Sequence, residues 1–243
     1  MDVILCGAAG RMGRQIATLL KGTEDMRVVA SVDKAECEDK PCYRNVKDVR
    51  ESADVILDFS HHGAIWDIAD FAESRSLPLV VATTAHTKEE KERIYEASKS
   101  VPVFFASNFS LGLYLVCEFA KRTASVFENA DVEIVETHHF AKSDVPSGSA
   151  LSIANAIKQG RNKGEILVGR RDEDERIKGQ ICISSLRLGG VFGKHKVIFD
   201  DGFESVSIEH AAHSREVYAY GAVRAMRFIV LQKAGLYGMK DMV

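Results

Sequence analysis

The residues Val3, Ile4, Leu5 and Cys6 run straight into Gly7-Ala8-Ala9-Gly10-Arg11-Met12-Gly13. A short apolar run closed by glycine reads as a buried strand. Past the turn, Ile16, Ala17, Leu19 and Leu20 recur at helical spacing, and Arg27–Val32 reads as the next strand, ending at Asp33. Strand, glycine turn, helix and strand form the context that a dinucleotide fingerprint requires. The spacing is G-x-x-G-x-x-G, not the commoner G-x-G-x-x-G. The physical needs are alike: a tight turn, a backbone bare enough to approach a pyrophosphate, and close helix–strand packing. Arg11 lies in the turn and can reach phosphate. Asp33 stands about 20 residues beyond the last glycine, where a carboxylate accepts hydrogen bonds from the adenine-side ribose. Lys34 follows at once. Asp33 favours a free 2′-hydroxyl and Lys34 suits a 2′-phosphate, so the pair predicts use of both NADH and NADPH.

Further along, strands are expected at 54–59, 79–82 and 103–106, with helices at 64–73 and 88–98 and an irregular polar loop over 34–48. Alternation of this kind indicates a doubly wound parallel sheet of the Rossmann type. Ligands bind beyond the carboxyl ends of such strands. Those ends carry Phe59 and Ser60, Thr83 and Thr84, and Ser107, Asn108 and Phe109, which are expected to line the nicotinamide half of a cofactor. The pattern then changes. A long apolar helix over 111–127, with Leu115, Phe119 and Val126 as core candidates, precedes a strand at 131–139 and a helix at 147–159. The charge run from Arg170 to Arg176 reads as solvated surface. Strands at 181–188, 194–199 and 205–210 follow one another, which suggests a mixed or antiparallel sheet in a second α+β domain. A helix over 215–233 closes the pattern, with Gly235 as its stop signal.

The 243 residues carry a net charge of -3 and no basic stripe, so nucleic acid is not an expected partner. No apolar run approaches the ~20 residues that cross a bilayer. The N-terminus reads directly into a strand, no signal peptide is expected there, and a cytoplasmic location is the expectation. Its five cysteines, Cys6, Cys37, Cys42, Cys117 and Cys182, form no CxxC pair and are expected as free thiols. Cys37 and Cys42 lack the further ligands that a metal would need, and no metal site is expected.

Chemistry concentrates between Glu136 and Ala150, in the sequence E-T-H-H-F-A-K-S-D-V-P-S-G-S-A. A strand delivers His138 and His139, Lys142 follows in a loop, and Pro146-Ser147-Gly148-Ser149 starts a helix whose N-terminal amides suit an anion. Imidazole, ammonium and amides together suit a substrate that carries carboxylates and needs a proton. Neighbouring residues on a strand face opposite sides, so both histidines reach one ligand only if the strand ends at His138. Asp144 reads as a loop-shaping residue that accepts backbone N–H bonds ahead of Pro146. A second pair, His61 and His62, has no comparable company and reads as loop histidines.

These fifteen residues resemble the dihydrodipicolinate reductase family, whose pattern E-x-H-H-x-x-K-x-D-A-P-S-G-T-A is met with Val145 for Ala and Ser149 for Thr. The resemblance spans the chain. G-A-A-G-R-M-G is met by residues 7–13. The family's G-T-T appears as Ala82-Thr83-Thr84, A-x-N-F-S as Ala106-Ser107-Asn108-Phe109-Ser110, and R-x-G-x-x-x-G-x-H as Arg187, Gly189, Gly193 and His195. Ser214-Arg215 and Gly221-Ala222-Val223-Arg224 meet a further motif. The resemblance implies NAD(P)H-dependent reduction of a cyclic dicarboxylate with loss of water, giving tetrahydrodipicolinate. It implies a cofactor domain from residues 1–109 plus 216–243, a substrate-binding and oligomerisation domain from 110–215, and a homotetramer. Cofactor contacts fall on residues 7–13 (Ala8, Ala9 and Met12 included), Asp33, Lys34, Phe59, Ala82 to Thr84 and Ala106 to Phe109. His138 is implied as general acid/base and Lys142 as proton donor, with His139, Lys142, Gly148 and Ser149 on the substrate. Two other classes fit the glycine turn: a dehydrogenase acting on an amino acid or semialdehyde, and a dinucleotide-binding regulator without turnover. Neither gives the histidines and Lys142 an evident task.

Overall fold

The computed structural model describes residues 1–39, 41–169 and 176–243. The chain divides into two units, Met1–Phe109 with Tyr218–Val243, and Ser110–Val217. In chain order the first unit runs β1 (Asp2–Cys6), α1 (Arg11–Lys21), β2 (Arg27–Val32), β3 (Cys42–Tyr43), β4 (Val55–Asp58), α2 (Ile65–Arg75), β5 (Leu79–Val81), α3 (Lys88–Ser98) and β6 (Pro102–Phe105). The second unit follows with α4 (Leu111–Val126), β7 (Asp131–His138), α5 (Gly148–Arg161), β8 (Ile166–Val168), β9 (Ile181–Arg187), β10 (Gly193–Asp200) and β11 (Ser205–Ala212). The helix α6 (Glu216–Ile229) spans the division, and β12 (Gly235–Tyr237) and α7 (Met239–Met242) return to the first unit.

Strands of the first unit pair in parallel in the order β12-β6-β5-β4-β1-β2-β3. Val3, Ile4, Leu5, Ile56 and Leu57 are wholly buried. Such uninterrupted apolar strands belong to parallel sheets covered on both faces. Thr87 starts α3 through a capping box with Glu90, and residue Ser76 closes α2 in the left-handed conformation.

The second sheet is mixed, in the order β11-β10-β7-β9-β8. β10 runs antiparallel to β7 and β11, whereas β9 is parallel to β7 and β8. One face meets α4 and α5. Val132 and Ile134 of β7, Ile181 and Ile183 of β9, and Val197 and Phe199 of β10 form a core with Leu113, Val116, Ala120 and Ala124 of α4 and Ile153, Ala154 and Ile157 of α5. Serine starts both helices: Ser110 Oγ accepts from the Leu113 amide, and Ser147 Oγ from the Ala150 amide.

Several expectations are corrected. Phe119 is 56% and Val126 65% exposed, and Leu115 is only half-buried, so the face of α4 chosen from sequence is the outer one. The loop over 34–48 contains β3 and a short 3₁₀ turn at Val46–Asp48. Its strand brings Cys42 beside Cys37, and the two form a disulfide, while Cys6, Cys117 and Cys182 remain thiols. Helix α6 ends at Ile229, and Gly235 opens β12 instead of stopping a helix. Most of the Arg170–Arg176 charge run, residues 170–175, lies outside the described residues.

Helices α4 and α5 are in close contact at Gly160, where a Cβ would collide with the Lys121 carbonyl oxygen and lie 3.2 Å from the Ala124 Cβ. Alanine favours a helix interior over glycine by about 1 kcal/mol, but the collision is with backbone and cannot be relieved by a side-chain rotation. Gly160→Ala is expected to lower stability by roughly 1–3 kcal/mol, measured by urea denaturation; a stability equal to or above that of the parent would refute this account of the helix contact.

Candidate functional site

Unit by unit, the described residues form two sets. In the first unit the turn between β1 and α1 admits no side chain at Gly7 or Gly13. Gly7 has φ +79°, and a Cβ there would lie 2.7 Å from the Ser60 amide nitrogen; at Gly13 a Cβ would lie 2.7 Å from the Ala8 Cα. Gly10 starts α1 in an extended conformation and, having no side chain, gives α1 no side-chain cap. The first amides of a helix left in this state attract anions. The Asp33 carboxylate is fixed by two backbone donors, the amides of Ala9 at 3.0 Å and Ala35 at 2.9 Å. Gly7, Gly10, Asp33, Lys34, Arg44 and Phe59 are among the residues around a cleft of about 640 Å³. A second cleft, of about 210 Å³, is bordered by Met12, Phe59, Ala82, Ser107, Asn108 and Phe109, together with Tyr218. A bare helix start, a carboxylate at the end of β2 and two clefts sharing Phe59 fit a dinucleotide laid across the ends of the strands.

Not every residue expected at this end reaches a cleft. The Thr83 hydroxyl is buried and donates to Asp58 Oδ2 at 3.0 Å, so it serves the strand end beneath. Burial raises the Asp58 carboxyl above its ordinary range, and hydrogen bonds from Ser60 and Thr83 only partly offset this. Arg11 and Thr84 are exposed, and Ala106 is half-buried with its amide on the Val81 carbonyl. Arg44 joins the set unforeseen. β3 pairs with β2, and Arg44 Nη1 then donates to the Lys34 carbonyl oxygen at 3.2 Å. His61 and His62 lie in the loop after β4: His61 borders the larger cleft and its Nδ1 accepts from the Gly63 amide, and His62 Nδ1 lies 2.8 Å from the Glu90 carboxylate.

In the second unit the row of β7 that faces the helices runs Val132, Ile134, Glu136, His138, all buried. The register sets Ser185 of β9 and His195 of β10 beside Glu136, and His210 of β11 beside His195. One cross-strand row under the helices is therefore wholly polar. The helix starts lie over it: the Ser147 hydroxyl is 3.3 Å from His195 Nε2, and the Ser110 hydroxyl 3.3 Å from His210 Nε2. Glu136 is completely buried. Its Oε2 contacts His138 Nδ1, and its Oε1 accepts from Arg187 Nη2 at 2.8 Å and from the Ser147 amide at 3.3 Å. Burial raises the Glu136 carboxyl, but the Arg187 guanidinium, the neighbouring Ser185 and His138 together outweigh it and the carboxyl is held at about 2. Burial lowers the His138 imidazole despite the pull of Glu136. Burial, with His138 alongside, brings His195 down to about 4. His138 and His195 are thus neutral at neutral pH.

β7 ends at His138, and His139, half-buried, lies beyond the strand. Lys142 Nζ is 2.7 Å from Asp144 Oδ1, so Asp144 is the lysine's partner as well as an acceptor of its own backbone amide. The Val145–Pro146 peptide is cis. Arg187 also donates to the backbone oxygens of Lys142 at 3.3 Å and Asp144 at 2.6 Å, fastening this loop to β9. Gly148 is exposed at the start of α5 and Ser149 follows in its first turn. Glu136, His138 and His195 present ligand atoms within 4.8 Å of one another, but a cation there would have to share Glu136 with the Arg187 guanidinium. Sequence reasoning placed no function on Glu136 or Arg187. A signal existed in β7, where the alternation of Asp131, Val132, Glu133 and Ile134 breaks at Val135-Glu136 and turns an acid inward.

Comparison with known proteins matches both parts of the chain. Residues 1–109 match the family described as dihydrodipicolinate reductase, N-terminus, and residues 112–243 the one described as dihydrodipicolinate reductase, C-terminus. A 4-hydroxy-tetrahydrodipicolinate reductase of Caldanaerobacter subterraneus subsp. tengcongensis is 44% identical over 99% of this chain and 97% of its own. One from Clostridium novyi is 38% identical over 99% and 97%. In fold, a dipicolinate-bound dihydrodipicolinate reductase from Paenisporosarcina is similar with a TM-score of 0.84 at 24% identity, covering 100% of this chain and 99% of the other. With both halves matched and the relatives aligned from end to end, the chain belongs to the dihydrodipicolinate reductase family.

Proposed function

We propose that the first unit binds the dinucleotide and that His138 and Lys142 of the second unit handle the protons of the family's reaction. That reaction is the NAD(P)H-dependent reduction of 4-hydroxy-tetrahydrodipicolinate to tetrahydrodipicolinate with loss of water, a step of lysine (diaminopimelate) biosynthesis. The observation that carries the residue assignment is the buried His138, held at Nδ1 by the carboxylate of the completely buried Glu136.

The substrate is a cyclic imine with two carboxylates and a hydroxyl. Loss of water breaks the bond to the hydroxyl and one C–H bond on the ring carbon between it and the imine. His138 Nε2, bearing a lone pair, takes that proton. The nicotinamide, when bound, supplies the hydride. Electron density then returns to the carbon beside the imine, and imidazolium His138 gives a proton back to it, leaving the residue neutral again. Lys142 draws a substrate carboxylate and gives the departing hydroxyl the proton with which it leaves as water, the amine being reprotonated from solvent, and Asp144 holds the ammonium until substrate arrives. The start of α5 at Gly148 and Ser149 suits the other carboxylate, and His139 adds a donor beyond the strand end. Asp33, Lys34 and Arg44 are assigned to the adenine-side ribose, and Phe59, Ala82 and Asn108 to the nicotinamide side. A cytoplasmic homotetramer is the proposed state. In its support, no helix among the described residues is long and apolar enough to cross a membrane. The sheet face away from α4 and α5 also leaves Leu186 46% exposed.

The test couples the enzyme to substrate generated in situ from pyruvate and aspartate semialdehyde and follows nicotinamide absorbance. Oxidation should require both precursors and disappear in His138→Ala; a folded, cofactor-binding protein that oxidises nothing would reject the assignment. Lys142→Ala should lower kcat by roughly 100-fold or more with NADH affinity unchanged, and undiminished turnover would remove Lys142 from the mechanism. Lys34→Ala should weaken NADPH roughly tenfold, the loss of one charge-assisted phosphate contact, and NADH much less. Equal losses measured by titration calorimetry would reject Lys34 as a 2′-phosphate contact.

A further inference from the structure

Glu136 is completely buried, yet it faces the imidazole assigned to proton transfer. We propose that Glu136 is the positioning residue for His138, fixing the imidazole with its hydrogen on Nδ1 so that Nε2 is the atom that exchanges protons with substrate. The inference rests on the role given to His138.

An ionised carboxylate can only accept hydrogen bonds, so the hydrogen between Oε2 and Nδ1 belongs to the imidazole. The carboxylate is itself immobilised: Arg187 Nη2 holds Oε1 at 2.8 Å and the Ser147 amide holds it at 3.3 Å. A carboxylate that swings away gives up both of these contacts. The other ring nitrogen is kept clear by Gly193, where a Cβ would stand 3.1 Å from His138 Nε2. Charged and titratable groups around the imidazole come from every neighbouring element: Glu136 on β7, Arg187 on β9, His195 on β10, and Lys142 with Asp144 in the loop. Glu136 is the one among them in contact with the ring nitrogen. Because Arg187 also grips the Lys142 and Asp144 carbonyls, the same carboxylate ties the imidazole to the loop that presents the ammonium.

In the unmodified enzyme above the acid limb of its pH profile, ¹⁵N NMR of labelled histidine should find His138 protonated at Nδ1 and bare at Nε2. Protonation at Nε2 would overturn the proposal, and this measurement needs no variant. Glu136→Gln should then lower kcat roughly 100-fold with the KM for NADH unchanged. It should also move the acid limb of kcat/KM to lower pH, because the carboxylate no longer favours the imidazolium, and mix the tautomers. A Glu136→Gln enzyme with unmoved limb and tautomer would refute the positioning role even if it were slower. His138→Ala run alongside separates the two claims. Retained turnover there would fail the assignment of His138; lost turnover there with a fully active Glu136→Gln would fail the role of Glu136 alone.

Discussion

A carboxylate without solvent is the constraint on which the second unit depends. Removing an ion from water costs several kcal/mol unless partners replace the lost hydration. Glu136 receives a guanidinium from β9, an amide from the turn before α5 and an imidazole from its own strand. Each partner must arrive from a different place in the chain. β9 must pair with β7 in the register that sets Arg187 beside His138, the Pro146–Ser147 turn must close over the strand, and β7 must end at His138. The geometry of the chemistry and the geometry of the fold are therefore fixed by the same few contacts.

The polar row extends that logic across the sheet. Below it the facing positions are Ile183, Ile134, Val197 and Ile208; one step along they become Ser185, Glu136, His195 and His210. The apolar layer anchors α4 and α5, and the polar layer lies where both helices begin, so their capping serines turn to imidazoles. Buried His195 has the Ser147 hydroxyl as the partner of its Nε2.

Local sequence carried a large part of this. The β1–α1–β2 turn was legible because its demands are local: apolar strand, glycines, helical spacing and a terminal acid within one short stretch. The strand carrying His138 and the start of α5 were legible for the same reason. Phe119 and Val126 were not, because α4 is apolar on two faces and periodicity alone does not say which one meets α5 and the sheet. The short strands β3, β8 and β12 have too few residues to show a period. Arg44, Arg187 and the link between Cys37 and Cys42 depend on which strands lie side by side, and nothing near them in sequence records it. Glu136 stood within a quoted motif, yet its burial required the phase of β7 to be followed residue by residue.

The second unit is inserted between β6 and β12, and this has a consequence for synthesis. In the finished sheet β12 covers the outer edge of β6, with Leu236 opposite Val103 and Tyr237 opposite Phe104. A ribosome makes β6 more than a hundred residues before β12. Throughout that interval the apolar edge Val103-Phe104 has no neighbour on that side, and an unpaired edge of this kind invites pairing with other chains. A nascent chain that stalls within the inserted unit carries the glycine turn and most of the parallel sheet but leaves its border open, so the last strand acts as the seal on the nucleotide-binding half.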